Sequence, residues 1–206
     1  MRKDSVVFAV SGVFFGLLVG WIIGSQQGGG APAPPAPAAA SAAAAPAQSA
    51  PALDENRAAT LRAAAERNPA DAESRTQLGN LYFDSERYPD AVKWYEEAFK
   101  LAPQDVNLST DLGIGYYYTN QPDRALSQFE RSLAIDPKHS KTLLNVGIVR
   151  AFGKQDLDGA AKAFQQVLQV APGSSEARAA QQALDGIRSA HPDASGGAAK
   201  QPGASN

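Results

Sequence analysis

The 206-residue chain has no cysteine, two histidines, one methionine and two tryptophans. Without cysteine there is no disulfide framework, no thiolate nucleophile, no cysteine-ligated zinc and no lipid attached through an N-terminal cysteine. An excess of either charge is missing too. Residues 54–190 hold 16 Lys/Arg against 19 Asp/Glu, which leaves no basic footprint for nucleic acid and no polybasic face for anionic lipid. His139 and His191 stand beside prolines with no base, nucleophile or second ligand at metal spacing, and both read as solvated loop residues. The glycine run 28–30 precedes no helix carrying a lysine, so no phosphate loop is present. Asp156 and Asp158 lack the further oxygen ligands that a calcium loop needs. No catalytic residue, cofactor site, metal site or small-molecule substrate is assigned, and the chain is expected not to be an enzyme.

What the chain does have begins with an apolar run. Ser5 to Gly24 is uncharged and 20 residues long, about the length a helix needs to cross a ~30 Å hydrocarbon core. Residues 1–25 are therefore expected to be a short cytoplasmic end and a single-pass signal-anchor helix. Arg2 and Lys3 precede the run, and the next charge is Asp54. The positive-inside bias then leaves everything after Gly24 outside the cytoplasmic membrane. A cleaved signal peptide is the competing reading, but the run exceeds the usual apolar length of one. Gly12, Gly16, Gly20 and Gly24 recur every fourth residue, a stripe on which two such helices could pair as a homodimer. Residues 26–52 are uncharged and rich in Ala, Pro and Gly, which predicts a disordered tether with an r.m.s. span on the order of 30 Å. Residues 191–206 read as a disordered tail.

Between tether and tail the chain repeats itself. Leu78 to Pro103 reads LGNLYFDSERYPDAVKWYEEAFKLAP, and Leu112 to Pro137 reads LGIGYYYTNQPDRALSQFERSLAIDP. Prolines 69, 103, 137 and 172 fall at intervals of 34, 34 and 35, and a fixed period in this range marks stacked supersecondary units. Each unit reads as two helices, the first pair being Ala72 to Ser85 and Pro89 to Leu101, with apolar residues at helical spacing. Proline is harmless at the start of the second helix and stops it at the end. These residues resemble the tetratricopeptide repeat. Its leucine, glycine and tyrosine match Leu78, Gly79, Tyr82 and Leu112, Gly113, Tyr116; its alanine, aromatic and proline match Ala91, Tyr95, Pro103 and Ala125, Phe129, Pro137. The third unit supplies Val146, Gly147, Ala160, Phe164 and Pro172.

The resemblance implies an all-α, right-handed helical solenoid of three helix pairs, 72–105, 106–139 and 140–174, with capping helices at both ends of a domain spanning 53–190. About eight helices are expected, with small residues such as Ala98 and Ser132 admitting the next unit and Gly and Ala letting paired backbones touch. Three departures stand out. Arg75 and Ser109 occupy a position where the family has a bulky residue. An extra residue falls in the third inter-helix turn, GKQDLDG. Arg150 replaces a tyrosine and must either reach solvent or find a carboxylate; the surface is expected.

In the family the concave face, lined by the first helix of each pair, holds peptides. The corresponding residues here include Asn80, Phe83, Asp84, Thr110, Ile114, Tyr117, Tyr118, Lys141, Asn145, Ile148 and Phe152. Their aromatic and aliphatic members suit capture of a peptide with apolar anchors, Tyr117 and Tyr118 above all. Some members clamp acidic C-terminal tails; only Asn80 and Lys141 match that clamp, while Thr76, Asp111 and Asn145 do not. The chain is thus read as a membrane-tethered adaptor for other proteins or peptides. Its layout is similar to that of repeat proteins assisting cytochrome c maturation. The alternative is a structural self-assembler that pairs through the glycine stripe and the solenoid.

Overall fold

A computed structural model describes residues 51–190, and most of them fall in one compact unit, Gln48–Leu184. The helices are α1 (Glu55–Arg67), α2 (Ala72–Asp84), α3 (Tyr88–Leu101), α4 (Val106–Tyr118), α5 (Pro122–Ile135), α6 (Ser140–Ile148), α7 (Leu157–Val170) and α8 (Ser175–Ala190). A five-residue π-helical turn, Val149–Gly153, continues α6. Among the described residues there is no strand, and no helix is long and apolar enough to cross a membrane. The apolar run, the glycine stripe, almost all of the tether and the tail lie outside the described residues.

Local chemistry starts and stops each helix. Asp54, Asp71, Asp105 and Asp156 sit just before α1, α2, α4 and α7, and each accepts a hydrogen bond from a backbone N–H two or three residues into its helix, at 2.8 to 3.0 Å. That satisfies a donor with no partner inside the helix. Proline stands in the first turn of α3 and α5, where its missing N–H costs nothing. The tight turn inside each pair bends through a left-handed residue, Glu86, Asn120 and Gln155, with φ of 57°, 59° and 56°. None of the three is glycine, so each turn holds an L-residue in a sparsely populated conformation.

The pairs α2/α3, α4/α5 and α6/α7 pack face to face, α3 packs on α4, α5 on α6, and α1 on α2. Ala91, Ala98, Ala125, Ser132 and Ala160 are completely buried, so small side chains do set the distance between neighbours. The glycines have a different partner from the one the sequence suggested. A Cβ added at Gly79, Gly113 or Gly147 would overlap the ring of Tyr95, Phe129 or Phe164. Glycine therefore admits an aromatic ring of the second helix, rather than backbone against backbone. Leu78, Tyr82, Leu108, Leu112, Tyr116, Phe129 and Val149 join in one continuous core. Ala177, Ala180 and Leu184 bury one stripe of α8.

Polar groups fill the two places where the family's bulky residue is absent. Arg75 reaches back to the carbonyl oxygens of Ala65 at 3.1 Å and Asp71 at 2.6 Å, closing the end of α1, and pairs with Glu97 at 3.7 Å. Ser109 is fully buried and accepts from the Gln128 side-chain amide at 2.8 Å.

The third pair corrects the placement of the extra residue. In the first two pairs the bond closing the turn runs from Arg87 to Tyr82 and from Gln121 to Tyr116, each spanning five residues; in the third it runs from Asp156 to Arg150, spanning six. The insertion is taken up by the π turn, within the helix and not in the loop after it. Counted back from the left-handed residue, Ala151 takes the place of Tyr82 and Tyr116, and like them it is buried. Arg150 is the residue left over. It is half-exposed and pairs with Asp156 at 2.7 Å, at the surface and beside a carboxylate together.

Candidate functional site

The same counting aligns three aromatics. Phe83, Tyr117 and Phe152 each stand three residues before the left-handed turn of their own pair, so the array presents one aromatic per repeat at one structural position. Without the π turn, Phe152 would align instead with Asp84 and Tyr118. Phe152 is 38% exposed, one of two large apolar residues so open among those described; Phe83 and Tyr117 are half-buried.

The neighbours of these rings differ along the row. Phe83 is covered: Tyr118 meets it edge-on with centroids 5.1 Å apart, and Tyr88 does the same at 5.1 Å, while Tyr88 and Tyr118 lie 4.5 Å from each other. Burial pushes the Tyr118 hydroxyl well above its ordinary value. Tyr118 therefore ties α4 to the α2–α3 turn, a packing role that the sequence did not reveal. In the next repeat Gly153 occupies the place of Tyr118. A Cβ there would lie 2.9 Å from Pro122 and 3.3 Å from the Tyr117 ring, so the backbone approaches where a side chain cannot fit. No counterpart of Tyr118 covers Tyr117, although Tyr117 itself packs on the core and meets Tyr118 edge-on with centroids 6.1 Å apart, and the exposed end of the row is Phe152.

The other expected residues divide into surface and interior. Ile114 and Ile148 are half-buried, and Ile114 leans on the core. Asn80 is exposed and accepts a hydrogen bond from the Tyr95 hydroxyl at 2.7 Å. Asn145 donates to the Lys141 carbonyl at 2.8 Å. Lys141 donates to Asp111 at 2.5 Å. Asp84 lies at the surface and makes no hydrogen bond or ion pair with other described residues. Enough protein surrounds its carboxyl for burial to raise it above the ordinary carboxylate value; nearby Asp111 adds to this and Arg57 opposes it.

Thr110 does not line the surface. It is 0% exposed, donates to the Val106 carbonyl at 2.7 Å and meets the Thr142 hydroxyl at 2.7 Å. His139, read from the sequence as a solvated loop residue, is half-buried beside it, its Nδ1 2.7 Å from the Thr142 hydroxyl. It occupies the helix-capping place held by Asp71 and Asp105 in the earlier repeats. Burial lowers its pKa, Lys141 acts in the same direction, and Asp136, Asp111 and Glu176 oppose. The signal was present in the 34-residue spacing of 71, 105 and 139.

A hollow of about 280 Å³ lies between α5 and α7 over α6, floored by Leu126, Leu133, Leu143 and Val146. Leu143, Val146 and Arg150 face away from Lys141, Asn145 and Ile148 on the helical circle, so this hollow is separate from the aromatic row. Among the described residues no group of three His, Cys, Asp or Glu could hold a metal ion.

Comparison with known proteins agrees with this geometry. A family model described as TPR repeat matches residues 79–119, and one described as tetratricopeptide repeat matches 110–175. Hsp70-Hsp90 organizing protein 3 of Arabidopsis thaliana is 31% identical over 121 residues, which is 59% of this chain and 20% of that protein. The chain thus spans about a fifth of the length of that curated relative. Among solved structures, the first TPR domain of human RPAP3 superposes with a TM-score of 0.54 at 26% identity, covering 60% of this chain and 94% of that one. The first TPR of Spaghetti (RPAP3) bound to the HSP90 peptide SRMEEVD superposes with a TM-score of 0.51 at 24% identity, covering 67% and 95%. Residues 79–175 are tetratricopeptide repeats.

Proposed function

We propose that the tetratricopeptide repeats of this chain hold segments of other proteins against the first-helix face of the array, making it an adaptor. The observation that carries this is the row Phe83, Tyr117 and Phe152, one aromatic per repeat at one structural position, which ends in the exposed Phe152 ring. A relative of the repeat region solved with a bound peptide supports the same use of the fold. Apolar rings that stay accessible in a rigid, repeated frame suit side chains spaced along a peptide.

The reading extends to a membrane-tethered protein, with the cytoplasmic N-terminus, single span and long tether expected from residues 1–52 and the repeats on the extracytoplasmic side. Such a tethered array would serve assembly of envelope proteins, of which cytochrome c maturation is one instance suggested by the layout. Self-assembly through Gly12, Gly16, Gly20 and Gly24 is the second reading, favoured by their regular spacing.

A photo-crosslinking residue placed at Tyr117 of the full chain in intact cells tests the adaptor. Adducts to other polypeptides are expected at Tyr117 and not at exposed Gln165 on α7, and Phe152→Ala is expected to reduce them. Equal yield at both positions, or adducts to a second copy of this chain alone, overturns the adaptor.

A further inference from the structure

The two residues that match the acidic-tail clamp, Asn80 and Lys141, are already engaged. The Asn80 side-chain oxygen takes the Tyr95 hydroxyl, and the Lys141 ammonium is held by Asp111 at 2.5 Å. What remains unengaged on this face is negative. Asp84 has no partner among the described residues, and Glu73 is exposed and bonded only to neutral Gln77. Exposed Arg57 of α1 acts on Asp84 electrostatically without forming an ion pair with it. An incoming carboxylate would thus meet a paired lysine and a carboxylate that Arg57 offsets without pairing; an incoming ammonium or guanidinium would find a partner in Asp84.

From this we infer that the aromatic row selects a peptide of apolar residues interspersed with Lys or Arg, a basic side chain pairing with Asp84 while apolar ones lie on Tyr117 and Phe152. The inference rests on the peptide-holding function above and names its partner class. Charge complementarity carries it. Like charge brought onto such a face is penalised and opposite charge is steered toward it. Asp84 is in the first repeat, half-buried Tyr117 in the second and exposed Phe152 in the third, so a peptide touching all three lies extended across the array. Acidic C-terminal tails are excluded by the same charges that admit the basic segment.

The test uses the full chain in discs of zwitterionic lipid and two fluorescein-labelled synthetic peptides. One alternates leucine or phenylalanine with lysine; the other carries glutamate in place of every lysine. By fluorescence anisotropy at low salt the lysine peptide is expected to bind roughly tenfold more tightly. Asp84→Asn is expected to shrink that ratio roughly threefold, as befits one surface pair. Phe152→Ala is expected to weaken both peptides alike. A glutamate peptide that binds equally or better, or a ratio indifferent to Asp84→Asn, overturns the charge selection while leaving the adaptor in place if Phe152→Ala still weakens binding. Binding of neither peptide overturns both.

Discussion

At the scale of single residues the fold depends on where hydrogen replaces a methyl. Gly113 lies under the Phe129 ring, and the ring is completely buried, so neither can yield to an added Cβ. Gly113→Ala is expected to destabilise by about 1–3 kcal/mol through overpacking. Gly186 in α8 has nothing within 4 Å of an added Cβ. Gly186→Ala is expected to stabilise by about 0.5–1 kcal/mol, because alanine orders into a helix at lower entropic cost. Urea unfolding followed by circular dichroism checks both signs. A second residue-scale expectation concerns His139. Its folded-state pKa is depressed below 6.5, so the unfolded chain takes up the proton first as pH falls. Its neutral form therefore supports stability fully above the ordinary histidine value, and that support is lost as pH falls from there toward the folded-state value. The denaturation midpoint is expected to decline between pH 7.5 and the folded-state value, and His139→Asn, which removes the titrating group and suits the N-cap position, is expected to flatten that decline.

At the scale of elements the informative feature is the π turn Val149–Gly153. A helix that takes up an extra residue rotates its last turn relative to its earlier ones, and here that rotation delivers Phe152 to the aromatic row and Gly153 against Pro122. Had the extra residue gone into the loop, Phe152 would align with Tyr118 and Arg150 with Tyr116. Deleting Arg150 is expected to leave helix content and thermal midpoint within a few degrees of the native chain and to keep Phe152 in place. It removes the insertion, a half-exposed pair with Asp156 of a kind that contributes up to about 1 kcal/mol, and the carbonyl that closes the turn, whose place the Ala151 carbonyl is expected to take as those of Tyr82 and Tyr116 do in the other pairs. Deleting Lys154 from the turn is expected to cost far more, because its N–H bonds to the Val149 carbonyl and the turn must still reach the left-handed residue. A Lys154 deletion that is the better tolerated of the two would place the insertion in the loop after all.

At the scale of the whole described array, how much was readable from sequence depends on which interactions are local. The three units, their helix pairs and both flanking helices could be read because caps, prolines and apolar spacing act within a few residues of one another, as at Asp71, Asp105, Pro103 and Pro137. The groove was legible in part. Phe83, Tyr117 and Phe152 were anticipated, but not that Tyr118 would spend its ring on Phe83 and Tyr88. Thr110 could not be told from its surface neighbours, since its burial comes from Thr142, Ser132 and His139, which lie 22 to 32 residues away in the chain.

By itself, then, the order of residues determined that helices would form in pairs and at what period they would recur, because capping, chain stiffness and amphipathic spacing are short-range effects. Only tertiary structure decided which aromatics stay open, where an added residue is absorbed, and which charges are cancelled. Those outcomes depend on contact between repeats: a ring is covered or left bare, and Lys141 is neutralised or free, according to what the neighbouring helix places within a few ångströms of it.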